Sequence, residues 1–299
     1  GSQWSKGGHQ VKGSSLRNTM GTSRLYEHVS TVQRRIAQLA REDRNRALTS
    51  LNRYLDLEWL QAAYLQTRKG GAVGVDGVNG YEYGEGLIPK LEDLLNRVKS
   101  GNYLAPPVRR TFIPKGPNTE ELRPLGIPAF EDKVLQRAVL MLIEPILEVD
   151  FLDCSYGFRP RRSTHDCLEA LWKETMNVNG GYIIRIDIRK FFDNVDKGKL
   201  REMLRQRIRD GVLLKLIDKW LKAGIMDGQH LSYSDHGTPQ GAVISPALSN
   251  LYLHHTLDVW YETEVKPRLS TRSRLLRFAN DSIIVCWNLD DAKRVMEVL

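Results

Sequence analysis

Tyr182-Ile183-Ile184-Arg185-Ile186-Asp187-Ile188-Arg189-Lys190-Phe191-Phe192-Asp193 decides how the rest of the chain is read. Tyr and the β-branched residues at its start suit a pleated, half-buried surface, and Gly180-Gly181 marks where the strand begins. Asp187 interrupts this apolar run. A carboxylate in such a place is costly unless it is paired, hydrogen-bonded or holding a cation. Taken alone, Asp187 reads equally well as a helix cap or a surface aspartate.

A second stretch shifts that balance. Arg274-Leu275-Leu276-Arg277-Phe278-Ala279-Asn280-Asp281-Ser282-Ile283-Ile284-Val285-Cys286-Trp287 is two apolar runs around a polar dipeptide, the pattern of a β-hairpin with Asn280 and Asp281 at its tip. Most such tips are only turns. With a lone aspartate ending an earlier strand, the tip offers a place where two polar ends could meet over one divalent cation. Hard cations such as Mg²⁺ take oxygen ligands, commonly one or two protein carboxylates plus substrate phosphates. Two such ions can clamp the attacking and leaving oxygens of phosphoryl transfer.

Five stretches then fall in one order: Arg123 to Pro128, Ser155 to Pro160, Asp187 to Asp193, Gly237 to Gly241 with Ser245-Pro246, and Phe278 to Asp281. In that order they resemble the fingers and palm of the group II intron reverse transcriptase/maturase family, over roughly residues 60 to 299. The resemblance implies an α+β fold, a right-hand polymerase with an antiparallel palm sheet packed on helices, preceded by a basic helical extension. It implies RNA-directed DNA synthesis with two Mg²⁺ ions, held by Asp187, Asp281, the position of Asn280 and the backbone carbonyl of Ile188. Lys115 and Arg123 would meet the triphosphate of an incoming deoxynucleotide, and Gln240 would lie on it. Phe192 would exclude a ribose 2′-hydroxyl, although one of two adjacent phenylalanines is as naturally a core residue. The implied partners are RNA template, intron RNA, DNA primer and deoxynucleoside triphosphates.

One departure matters most. The family carries two aspartates at the hairpin tip, and Asn280 stands at the first. An amide offers a carbonyl oxygen without charge, so metal binding should weaken. A deliberate substitution and a natural loss both account for it; Ser282, where the family usually has a bulky residue, favours natural drift. The alternative function is therefore a non-catalytic splicing factor, a maturase-like scaffold for intron RNA.

The composition fits this frame. Hydrophobic residues make up 41% of 299, no apolar run approaches the ~18 residues of a membrane span, and no secretory signal opens the chain. Cys154, Cys167 and Cys286 are uneven in number and lack metal-ligand spacing, which points to reduced thiols in a cytoplasmic, ribonucleoprotein-associated or organellar protein. The net charge is +8, and residues 1–50 hold nine Lys/Arg against three acids. Such an arm suits RNA, with Arg34, Arg35, Arg41, Arg44 and Arg46 as contacts and a solvated tail as the plainer reading.

The expected organisation is a flexible tail with a cloning scar at 1–22, a helical extension at 23–70, fingers at 71–180 and palm at 181–299. Thumb, maturase and endonuclease segments are expected to be absent, and the surface meant for a thumb is expected to favour a homodimer. Within this plan Leu25, Val29, Val32, Ile36 and Leu39 share a helical face, and a second helix spans about Leu57 to Gln66. The glycine-rich Lys69 to Gly77 loop lacks a Walker Gly-Lys-Ser/Thr; its glycines either make turns or, as the resemblance implies, let backbone approach nucleic acid. Arg109 to Lys115 and Glu121 to Gly126 form a hairpin, Phe130 to Val149 a long core helix, and the loop with Arg159, Arg161 and Arg162 a phosphate-tracking cluster.

Overall fold

A computed structural model describes residues 11–114, 116, 119–177, 181–189, 191–233 and 241–299, with side chains from residue 22 onward. The chain runs α1 (Val11–Glu42), α2 (Leu57–Gln66), α3 (Gly80–Gly84), α4 (Leu87–Lys99), β1 (Val108–Pro114), β2 (Leu122–Ile127), α5 (Phe130–Asp150) and α6 (Thr164–Asn177). It continues through β3 (Tyr182–Asp187), α7 (Phe191–Asn194), α8 (Lys197–Arg207), α9 (Gly211–Lys222), β4 (Ile225–Asp227), β5 (His230–Ser232), α10 (Ser245–Leu253), β6 (Ser273–Phe278), β7 (Asp281–Cys286) and α11 (Leu289–Val298).

The core is mainly helical. Along α5, Val134, Leu135, Ala138, Val139, Leu142 and Ile146 are buried, and the helix passes through Pro145 without ending. Helix α2 is capped by Asp56, whose carboxylate accepts from Trp59 N at 2.8 Å, and Trp59 Nε1 in turn donates to Ala138 O at 2.9 Å. Trp59 is fully buried, so α2 is pinned to α5 by both packing and a satisfied indole. The Val29, Val32, Ile36 face of α1 joins the same core. Helix α1 begins at Val11, well ahead of the expected start near Ser23.

Two sheets flank this core. One has strand order β2-β1-β4-β5, with β1 antiparallel to β2 and parallel to β4. The other is the antiparallel trio β3-β7-β6. Its lower face rests on a second, smaller core made by Leu257, Tyr261, Val265, Leu275, Ile284, Cys286, Ala292 and Val295. Side chains alternate across a strand. Ile184 and Ile186 therefore face this core, and Ile183, Arg185 and Asp187 face away.

Of the glycines in the loop Lys69 to Gly77, Gly74 is packed from within, while Gly70 and Gly77 have open space around them. A Cβ on Gly74 would sit 2.5 Å from Ala129 Cα, and Arg109 Nε donates to Val73 O at 2.9 Å. Gly74 is small because the loop lies against the start of α5, so its glycine serves internal packing. The three cysteines are free, two of them buried; burial pushes the Cys154 thiol up to about 12 and the Cys286 thiol to about 11. Among the described residues no helix is long and apolar enough to cross a membrane.

Candidate active site

The two stretches that opened the sequence reading lie side by side. Strands β3 and β7 pair so that Asp187 stands directly opposite Asp281. Opposed residues in an antiparallel pair have Cα atoms about 4.5–5.5 Å apart and side chains on one face. On the far side of β7, Asp281 pairs with Phe278, so Ala279 and Asn280 form a two-residue hairpin loop. Phe278, Asp281 and Asp187 thus form a row across the sheet end, on the face away from the smaller core. Both aspartates are exposed.

The loop conformation is demanding. Ala279 has φ 56°, a left-handed position that a residue with a Cβ adopts at a cost of about 1 kcal/mol. Gly157 lies beneath it: a Cβ there would meet Ala279 N at 2.4 Å and Phe278 C at 3.1 Å. The Phe158 and Phe278 rings stand 6.4 Å apart, which joins the same loop to the hairpin. Below the sheet, Arg277 is fully buried and paired with fully buried Asp258 at 2.6 Å. Sequence reasoning passed over Arg277. The available signal was its place two residues after Leu275, on the strand face that must be apolar unless a partner waits there.

Around this centre the predicted residues divide. Ile188 follows Asp187 directly and packs its side chain against the main core. Phe191 is buried and Phe192 half-buried, their rings edge-to-face at 5.3 Å. Arg123 is exposed on β2 opposite Ile113. Lys115 and Gln240 lie outside the described residues; Gly241, next to Gln240, has φ 102°. Gln136 Oε1 of α5 accepts from Val243 N at 2.9 Å, tying the chain that follows Gly241 to the core helix.

The expected RNA contacts divide too. Arg34, Arg35, Arg41, Arg44 and Arg46 are exposed along α1 and the turn after it. That turn is held by Arg207 of α8, another residue that sequence reasoning missed. Its guanidinium, nearly buried, donates to Ala40 O at 2.7 Å, Asp43 O at 3.1 Å, Arg46 O at 3.1 Å and also Arg44 O, while Nε pairs with Asp150 at 2.7 Å. An arginine of another helix thereby satisfies carbonyls at the end of α1. Arg161 is exposed at φ 59°. Arg162 binds Asp153 at 2.5 Å. Arg159 requires a correction: its side chain is 4% exposed and its donors go to Glu148, Leu152 O and Ser155 O. Four of the five N–H groups of this buried guanidinium are spent on building the loop, and its charge is paired with Glu148.

The donor set at the sheet end is two carboxylates and one amide. Among the described residues no group of three His, Cys, Asp or Glu stands together. The set still fits a hard divalent cation, because every available donor is oxygen and both charges lie on one exposed face.

Comparison with known proteins agrees in kind. The family model described as reverse transcriptase (RNA-dependent DNA polymerase) matches residues 113–299. Protein YkfC of Escherichia coli is 39% identical over 233 residues, which is 76% of this chain and 61% of that protein. The group II intron-encoded protein LtrA of Lactococcus lactis is 37% identical over 228 residues, 74% of this chain and 36% of the relative. The nuclear intron maturase 1, mitochondrial, of Arabidopsis thaliana is 31% identical over 97 residues, 32% of this chain and 13% of that protein. The chain thus spans about three fifths of the first relative and about a third of the second.

Proposed function

Because the chain belongs to the reverse transcriptase (RNA-dependent DNA polymerase) family, with group II intron-encoded proteins among its relatives, we propose that it carries the nucleotidyl-transfer site of an RNA-directed DNA polymerase. The observation that carries this is the register placing Asp187 opposite Asp281 at the open end of β3-β7-β6. The two carboxylates would hold Mg²⁺, with Asn280 contributing a neutral oxygen. When bound, the metal lowers the pKa of a primer 3′-hydroxyl and balances charge on the departing pyrophosphate.

Around them the chain's own groups position the substrates. Arg123, on the strand opposite Ile113, suits the triphosphate of a deoxynucleotide, a role that the family resemblance also gives to Lys115, with Gln240 a further nucleotide contact. Phe192, half-buried beside Phe191, suits steric selection at the sugar. The exposed arginines of α1 suit intron RNA, and the template would be RNA as well.

Asn280 favours a second reading, an intron-RNA-binding splicing factor whose palm serves as scaffold. Primer extension on an RNA template with Mg²⁺, comparing the chain with its Asn280→Asp variant, separates the two. The first reading expects incorporation to rise on the order of 10³-fold, as for several kcal/mol of recovered transition-state stabilisation. No incorporation by either protein overturns it in favour of the second.

A further inference from the structure

We propose that Arg277 is a positioning residue for the candidate metal site: it braces the two-residue hairpin tip from below and so sets where Asp281 and Asn280 stand relative to Asp187. The inference rests on the reading of Asp187 and Asp281 as metal ligands.

Every donor of the guanidinium is used. Nε donates to Asp258 Oδ1 at 2.7 Å and Nη2 to Asp258 Oδ2 at 2.6 Å, a two-pronged pair. The second Nη2 proton goes to Ser155 Oγ at 2.8 Å, and Nη1 donates to Asn250 Oδ1 and Ala279 O, both at 2.9 Å. A guanidinium has five N–H groups in a fixed planar fork, so filling all five leaves it one orientation. The bond to Ala279 O is the one that reaches the tip, and it falls on the residue in the left-handed conformation.

The brace draws on two segments outside the hairpin. Asn250 comes from α10 and Asp258 from the π-helical turn His254–Asp258 that continues it. Eight residues of regular α-helix would leave Asp258 about 80° out of line with Asn250, and a wider turn reduces that offset. Ser155 comes from the loop before α6, which also pairs with β6 through Arg277 N to Cys154 O at 2.7 Å and Tyr156 N to Arg277 O at 2.8 Å. Asn250 closes the circle by donating to Gly157 O at 2.7 Å, under Ala279.

An ion pair this dry is a poor source of stability, since removing two charges from water costs much of what their attraction returns. What it supplies is direction. The pair ties the helix after α10 to the last inward position of β6, two residues before the loop whose carbonyl it holds.

The test uses the full chain, with Asn280 as it stands and with Asn280→Asp, and two brace variants. Arg277→Met with Asp258→Leu removes both charges together and so leaves no buried ion unpaired; Arg277→Lys keeps the charge and loses the fork. Amide hydrogen exchange is followed at residues 278–282 and, as internal control, along β6 and β7, and it reads the brace whether or not the chain polymerises. The expected result is exchange about tenfold faster at the tip alone, the equivalent of one hydrogen bond. In the Asn280→Asp chain, the Mn²⁺ concentration for half-maximal primer extension should rise with it, while the KM for the primer–template stays put. A general loss of structure would move both. A folded variant with unchanged exchange at 278–282 overturns the brace. Unchanged metal dependence in the presence of faster tip exchange overturns its link to the metal site. Absence of primer extension from every form, beside faster tip exchange, sinks the polymerase reading and leaves the brace standing.

Discussion

Gly157→Ala should disturb the Asn280 hairpin from a position outside the proposed site. The added Cβ would lie 2.4 Å from Ala279 N, against at least 3.4 Å for ordinary contact, so about 1 Å must be found. Gly157 cannot easily retreat, because Asn250 holds its carbonyl at 2.7 Å and the chain just before it pairs with β6. The hairpin tip is the part that gives. Overpacking of this kind costs about 1–3 kcal/mol. Gly157 does not have a positive φ, so alanine also restricts the unfolded chain, which returns about 0.4–1 kcal/mol. A net loss of about 1–2 kcal/mol corresponds to a fall in Tm of a few degrees, at about 2–4 °C per kcal/mol. Activity should suffer more than stability, since a ~1 Å displacement of reacting groups costs on the order of 10²-fold. Thermal melting and primer extension, both in the Asn280→Asp background, measure the two losses. A variant that melts with its parent and extends primer at the parental rate would refute the close packing of Gly157 against the tip.

Two further expectations concern the core. Burial pushes the Asp132 carboxyl up to about 7, aided by the charge of Glu131 and opposed by the Tyr103 hydroxyl that donates to it. Its unfolded value lies near 3.8, so between the two the folded chain keeps a proton that the unfolded chain has lost. The associated stability is full below the unfolded value and is lost as pH rises toward about 7. Asp132→Asn should flatten that slope in denaturant midpoints taken at about pH 5 and about pH 8, and an unchanged slope would contradict the assignment. Ser282 stands opposite Arg277 in the β6–β7 pair with its Oγ buried and without a hydrogen-bond partner among the described residues. Ser282→Ala should therefore stabilise the chain by about 1 kcal/mol, seen as a rise in Tm, and a fall would show that the hydroxyl has a role.

What could be read in the sequence was local and periodic. The strand ending in Asp187, the hairpin around Asn280 and the helix Leu57–Gln66 all followed from alternation, turn chemistry or helical spacing, and the structure forms each of them. The pairing of Asp187 with Asp281 did not follow from either stretch alone, because register between distant strands is settled by packing on both faces. The resemblance supplied the expectation and the sheet met it. Arg159 misled because arginines in a loop look alike in sequence; Glu148, eleven residues earlier on α5, claims this one. Arg277 and Asp258 went unread for the opposite reason. Each is a charge within an apolar pattern, and only the fold reveals that each is the other's partner. The close approach of Gly74 to Ala129 also went unread, because nothing in the loop's own sequence names its neighbour.

The most direct test of the central claim is a count of bound Mn²⁺ by electron paramagnetic resonance on the full chain. Titrations of the chain as it stands, of Asp187→Asn, of Asp281→Asn and of the double variant, all at one pH and salt, suffice. If the two carboxylates share an ion, each substitution weakens the same site by about tenfold or more, and the double variant is little worse than either single one. Binding that survives both substitutions at the parental affinity would contradict the account, whatever the rest of the fold resembles.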